Sequence, residues 1–254
     1  MKKSGISSLR SILGKPSTVG EKFHVKTKID RFNNSMVNPK DWPDEWKIVF
    51  FKEYPRLDKI ILPEDMEITE PFGEVLSKRQ SRRSFLNKPI SLESVASLLY
   101  YSVGLKSLSP PYQGNRHYPS AGARYPIETY LISLNSDLEQ GLYHYNVRSN
   151  SLEVLEKMAN FKWNYYFNQA WIEKAGAIIV LTAEFGRTMR KYGIRGYRHI
   201  LVESGHIAQN FYLIAAALDL KICELGEYRE KRLDNFLGID GLNESVIGIL
   251  VIGR

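Results

Sequence analysis

The chain has little sulfur, no long apolar run and no familiar metal or nucleotide loop. Cys223 is the single cysteine among 254 residues, which excludes an intrachain disulfide and a cysteine-rich zinc site. Apolar Ile222 precedes it, and a small buried hydrophobe is the expected role. The five histidines, at 24, 117, 144, 199 and 206, form neither an HExxH motif nor an i, i+4 pair, so no metal site is expected. No stretch approaches the roughly 18 apolar residues of a membrane span. The longest candidate, Ile207 to Leu220, is interrupted by Gln209 and Asn210. A Walker A loop, a G-x-G-x-x-G after a strand, internal repeats and low-complexity tracts are all missing. The first 20 residues are basic and Ser-rich and lack the continuous apolar core of a secretory signal. They read as a flexible start of a cytoplasmic protein, with an organelle transit peptide as the alternative.

What is present is an ordinary globular composition, 43% hydrophobic and 25% charged, near the upper size for one core. Net charge is +7, split among the N-terminus, residues 78–83 and residues 187–198. Separate clusters suit discrete anion sites better than a nucleic-acid track. Residues 1–69 read as an extension: a flexible start, then a wrap rich in proline (39, 43, 55, 63) and aromatics (Trp42, Trp46, Phe50, Phe51, Tyr54). Residues 70–254 read as the main domain.

Along that domain a short helix is expected at Phe72 to Ser77. The run Arg79-Gln80-Ser81-Arg82-Arg83-Ser84-Phe85 follows. If extended, alternation puts Arg79, Ser81 and Arg83 on one side, and forked guanidiniums beside a hydroxyl suit a phosphate. Ser91 caps a helix reaching Val103, with Leu92, Val95, Leu99 and Val103 as its stripe and Gly104 at its end. A long loop then closes on Pro119-Ser120-Ala121-Gly122-Ala123-Arg124-Tyr125-Pro126, small enough to lie against a flat ligand. Strands are expected at Ile127–Ser133, Gly141–Asn146, Leu152–Leu155, Ala177–Thr182 and Val246–Ile252. Helices are expected at 163–174 and near 230–237. Between them, Arg187 to Arg198 reads as a cationic, aromatic loop. It feeds a helix, Ile207 to Leu218, that is apolar on nearly every side. Strands separated by helices make the chain α+β or α/β.

In order, these motifs resemble the nitroreductase-like flavoprotein superfamily, and most closely its SagB/ThcOx-type dehydrogenase branch. The resemblance rests on Arg79–Phe85, Pro119–Gly122 with Tyr125-Pro126, Gly141–Tyr145, Lys191-Tyr192-Gly193 with Arg195–Arg198, Glu203–His206 with Gln209-Asn210, and the closing strand. It implies an α+β fold, a mixed sheet flanked by helices, in an intertwined homodimer with FMN at the interface. Arg79, Gln80, Ser81 and Arg83 would hold the FMN phosphate and ribityl chain. Pro119, Ser120, Ala121 and Gly122 of the other subunit would face the ring. Leu225 and Gly226 would lie on its other side, although Gly226-Glu227-Tyr228 stands where the family commonly has a Gly-Gly-Phe-like run. Arg254 would be a further phosphate contact.

The resemblance also implies an activity. FMN-dependent oxidation of peptide thiazolines or oxazolines to azoles would use the catalytic pair Lys191 and Tyr192, with oxygen reoxidising the flavin. The partners would be a precursor peptide and a cyclodehydratase. Arg187, Arg190 and Arg195 are expected to pull the Lys191 pKa down. An NAD(P)H-dependent FMN reductase of nitro compounds, quinones or dehydroamino acids is the alternative, and a basic non-enzymatic scaffold fits least.

Overall fold

A computed structural model of the chain describes residues 18–29, 43–44, 49–63, 67–107 and 114–254. The first 17 residues, Trp42 and Trp46 lie outside the described residues. The chain divides into two compact units, Met1–Lys47 and Ile48–Arg254. The described helix of the first, α1 (Val19–Lys26), begins at a capping box: Thr18 Oγ1 accepts from the Glu21 amide, and the Glu21 carboxylate accepts from the Thr18 amide.

The second unit is built on a seven-stranded sheet. Its strands are β1 (Lys59–Ile61), β4 (Ile127–Ser133), β5 (Gly141–Asn146), β6 (Ser151–Lys157), β7 (Ala177–Glu184), β8 (Lys221–Glu224) and β9 (Glu244–Gly253), in the order β1-β6-β5-β4-β7-β9-β8. Every ladder between these strands is antiparallel. The parallel component is confined to isolated bridges, among them Ser81 with Ile222 at the β8 edge. A separate ribbon pairs β2 (Leu105–Ser107) with β3 (Asn115–Arg116).

Helices cover both faces of the sheet, and this explains why its central strands are apolar along their whole length. In β7, Ile179 and Leu181 point to one cluster and Ile178 and Val180 to the other, as strand alternation requires. The first cluster includes Val95, Leu99 and Val103 of α3 (Leu92–Val103) and Ile200, Ile207 and Phe211 of α6 (Gly196–Ala217). The second receives Phe161, Phe167, Ile172 and, from α7 (Glu230–Leu237), Leu233 and Leu237. Truncating the fully buried Phe211 to Ala would cost about 3–5 kcal/mol. The Ser91 cap and the closing Gly104 of α3 fall where the sequence places them.

Two expectations are corrected. The helix at 163–174 is two pieces, α4 (Trp163–Tyr166) and a 3-10 turn (Ala170–Lys174), with Phe167 extended between them. Five residues apart on one helix, Phe167 and Ile172 would point about 140° apart. The break turns both into the same core cluster.

The supposed loop at 187–198 is mostly helix: α5 (Phe185–Tyr192), a 3-10 turn (Gly193–Arg195), then the start of α6. Gly193 ends α5 at φ 56. Gly196 lets α6 pass close to α5, since a Cβ there would lie 3.0 Å from the Met189 Cα.

The first half of α6, before the expected apolar helix, carries an exposed strip. Leu201 and Val202 are 45% and 58% exposed there, with Tyr197, Gly205 and His206.

Candidate functional site

Two groups of side chains meet α6, one near each end. The first gathers at the β8 edge of the sheet. Past α2 (Phe72–Lys78) the chain runs extended along β8, where the Arg82 amide donates to the Ile222 carbonyl at 2.8 Å. Tyr212 of α6 reaches this strip. Its hydroxyl meets Ser81 Oγ at 3.0 Å and accepts from the Glu224 amide at 2.8 Å, and the Arg79 guanidinium stands 5.4 Å from its ring. Burial pushes the Cys223 thiol pKa up, against the pull of the Arg83 cation. The Leu86 amide donates to the Arg254 carbonyl at 2.6 Å, bringing the last described residue beside the same strip. Leu225 is buried and Gly226 exposed just after β8. Gln80 is exposed. Among the described residues no ion pair involves Arg79, Arg82 or Arg83. Guanidiniums with no carboxylate partner, beside two hydroxyls, form a donor set suited to a phosphate.

The second group lies at the other half of α6, about 13 Å along the helix from Tyr212 to Glu203. Here Pro119–Gly122 bends through a 3-10 turn, with Gly122 at φ 62, Ala123 at 52 and Tyr125 at 46. The turn is held from several sides. The Ser120 hydroxyl donates to Glu203 Oε2 at 2.7 Å and accepts from the Tyr125 amide at 2.9 Å. Arg124 Nε donates to the Gly122 carbonyl at 2.9 Å. Arg187 Nη1 donates to the Tyr125 carbonyl at 3.0 Å.

Lys191 and Tyr192, at the end of α5, close over the turn. An added Cβ at Gly122 would lie 2.6 Å from the Tyr192 hydroxyl and 3.0 Å from Lys191 Nζ. The pair therefore belongs with Pro119–Gly122 and not with Arg79–Arg83.

Burial, then the nearby Arg124 cation, lowers the Lys191 pKa. Arg187, Arg190 and Arg195, expected from sequence to do this, do not. Arg187 is consumed in a buried pair with Glu128 at 2.5 Å and a second pair with the partly exposed Glu184 at 2.7 Å. Burial raises the Tyr192 phenol, with Arg124 opposing. Burial and Arg195 lower His199, whose ring meets Tyr192 edge-on. Glu203 is pushed up to about 8 by burial, against the Ser120 and Ala121 hydrogen bonds and the Arg116 charge.

Beneath the turn lies a charged network that sequence reading missed. His144 bridges Glu153 at 2.9 Å and Glu128 at 3.2 Å in the core. Burial opposes the Glu128 charge, but Arg187, His144 and Arg116 outweigh it and hold the carboxyl down at about 2. Alternation along β4 and β5 gave no hint of charge, because these residues pair only through the fold. Tyr212, Arg124 and His199 were missed for the same reason.

Pro119, Ser120, Ala121, His199, Val202, Glu203 and His206 line a cavity of about 260 Å³. A larger opening of about 490 Å³, by Gln140, Asn160, Lys162 and Glu173, contains none of the residues above, so chemistry and not size selects the site.

A sheet with helices on both faces and a basic strip at its edge agrees with the family comparison. The nitroreductase family matches residues 76–254, and the chain belongs to it. Among similar proteins, MJ1384 of Methanocaldococcus jannaschii, named for the same family, is 30% identical over 77% of this chain and 96% of its own length. The trifolitoxin-processing protein TfxB of Rhizobium leguminosarum bv. trifolii is 29% identical over 66% of this chain and 48% of its own. The microcin B17-processing protein McbC of Escherichia coli is 29% identical over 59% and 57%. The chain thus spans about half the length of these two processing proteins. A solved chain of the E. coli microcin synthetase McbBCD, bound to truncated pro-MccB17, superimposes with a TM-score of 0.58. Identity there is 20%, covering 100% of this chain and 98% of that one. The resemblance to the peptide-processing branch therefore holds at the level of family and fold. Among the described residues no helix is long and apolar enough to cross a membrane.

Proposed function

We propose that the protein is an FMN-dependent dehydrogenase that oxidises azolines in a precursor peptide to azoles. The observation that carries the reading is the contact of Lys191 and Tyr192 with Gly122, in a family whose peptide-processing members this chain resembles. FMN, when bound, supplies a two-electron acceptor for the hydride that an azoline loses. Arg79, Ser81 and Arg83 fit its phosphate, with Gln80 and Arg254 beside them. Leu225 and Gly226 lie next along the same edge and would meet the ring. Lys191 takes the proton that must leave with the hydride, and its lowered pKa leaves more of it as the free amine. Tyr192, held protonated by burial, orients the substrate by donating a hydrogen bond.

The phosphate strip and the catalytic pair lie at opposite halves of α6. The reading therefore joins them across a homodimer, each turn serving the partner's flavin. The exposed Leu201 and Val202 strip supports such an interface. A cyclodehydratase would supply the azoline, and the McbBCD likeness supports such a partner.

Mass spectrometry of a cyclised peptide incubated with the FMN-loaded protein and oxygen tests the reading. Loss of two hydrogens per azoline is expected. No mass change, with rapid bleaching of the flavin by NADPH, overturns it in favour of a reductase.

A further inference from the structure

The residue the proposed chemistry leaves unused is Glu203. It is 2% exposed, on the buried face of α6, yet lines the cavity below the Pro119–Gly122 turn. Its two oxygens differ. Oε2 accepts from the Ser120 hydroxyl at 2.7 Å. Oε1 is buried and has no hydrogen-bond partner among the described residues. An acceptor already engaged on one oxygen leaves the other to carry a proton. A buried polar group without a partner is costly, so such an oxygen points to a ligand.

Resting on the flavin reading above, we propose that Glu203 is a positioning residue that works as the neutral acid. Through Oε2 it sets the Pro119–Gly122 turn against Lys191 and Tyr192, and through the Oε1 proton it donates to an acceptor atom of the flat heteroaromatic group held at that turn.

The surroundings favour the neutral form. Burial is the largest influence, and among the described residues Arg116 is the cation that opposes it. Arg116 is itself engaged with the Tyr118 hydroxyl and the Ile127 carbonyl. The other titratable groups around Glu203 and the turn are Tyr118 beside Arg116, His199 and His206 on its own helix, and, against Gly122, Arg124, Lys191 and Tyr192. No carboxylate partner among them shares its proton. Once Glu203 ionises it cannot donate, and its charge sits against the ligand.

The test titrates FMN into the deflavinated full chain from about pH 6.5 to about 9.5, read by flavin fluorescence. For the native chain the dissociation constant should be flat up to about 8 and then rise toward tenfold per pH unit. Glu203→Gln keeps a donor and an acceptor but cannot ionise, so its affinity should show no such break. Ser120→Ala removes a hydrogen bond that lowers the Glu203 pKa, and should move the break to higher pH. This second variant decides the matter if Glu203→Gln does not fold. Lys191→Met should keep the break, separating it from titration of the lysine. A break that persists in Glu203→Gln, or is missing from the native chain, overturns the inference. Absence of FMN binding at every pH overturns the flavin reading itself.

Discussion

The Tyr192 hydroxyl sits where a side chain on Gly122 would begin: an added Cβ would lie 2.6 Å from it. Two separate sequence motifs, one in a loop and one at a helix end, are thereby fixed to each other. Gly122→Ala should push Lys191 and Tyr192 out of place and strain a backbone held at φ 62, at a cost of about 1–2 kcal/mol. Turnover should fall by tenfold or more even at saturating FMN, as steady-state kinetics would show. Undiminished turnover would separate the turn from the chemistry.

Arg124 is the cation that acts on Lys191. A base whose pKa is lowered is active down to lower pH, so the rate should climb with pH and level off above that pKa. Arg124→Gln removes an influence that lowers it. The rising limb should move to higher pH, with the plateau retained. A limb that stays in place would show that Arg124 does not tune the base.

Lys191→Ala should keep FMN and lose most turnover, because the proton acceptor is gone and the phosphate strip is untouched. Full activity would remove Lys191 from the mechanism.

At the other end of α6, Arg79→Ala should weaken FMN binding. One charge-assisted phosphate contact contributes about 1.5–3 kcal/mol, or roughly 10–150-fold in the dissociation constant. Equilibrium dialysis with FMN measures it, and unchanged affinity would place the phosphate elsewhere.

The His144 network makes a prediction about stability. Burial disfavours its charge, but Glu128 and Glu153 outweigh burial and raise its pKa above the ordinary 6.5. The stabilisation is therefore complete below 6.5 and is lost as pH rises through the folded-state value. His144→Ala leaves two buried carboxylates facing each other and should cost about 3–5 kcal/mol near pH 6. The difference from the native chain should narrow at alkaline pH, as denaturant unfolding across pH would show. A constant difference would mean that His144 is uncharged in the folded protein.

Much of the architecture was legible in the chain. Ser91 and Gly104 bound α3, because caps are local matters of hydrogen bonding and backbone angle. Apolar runs located β4 with its expected ends, and β7 and β9, whose ends extend beyond the expected ones. Local pattern misled where packing overrode it. Cations and glycines from Arg187 to Arg198 read as loop, yet the glycines end one helix and seat the next.

The residue types of the site were also in the sequence: guanidiniums beside a hydroxyl at 79–83, a small-residue turn at 119–122, and the Lys191-Tyr192 pair. Only the tertiary structure decided which of them meet. It put Tyr212 against Ser81, gave Arg187 to Glu128, left Arg124 to act on Lys191, and buried Glu203 beneath the turn. Spacing along the chain fixes what is near in sequence. A pKa or a paired charge depends on what is near in space, and here the nearest neighbours come from elements as far apart in sequence as Ser120 and Glu203.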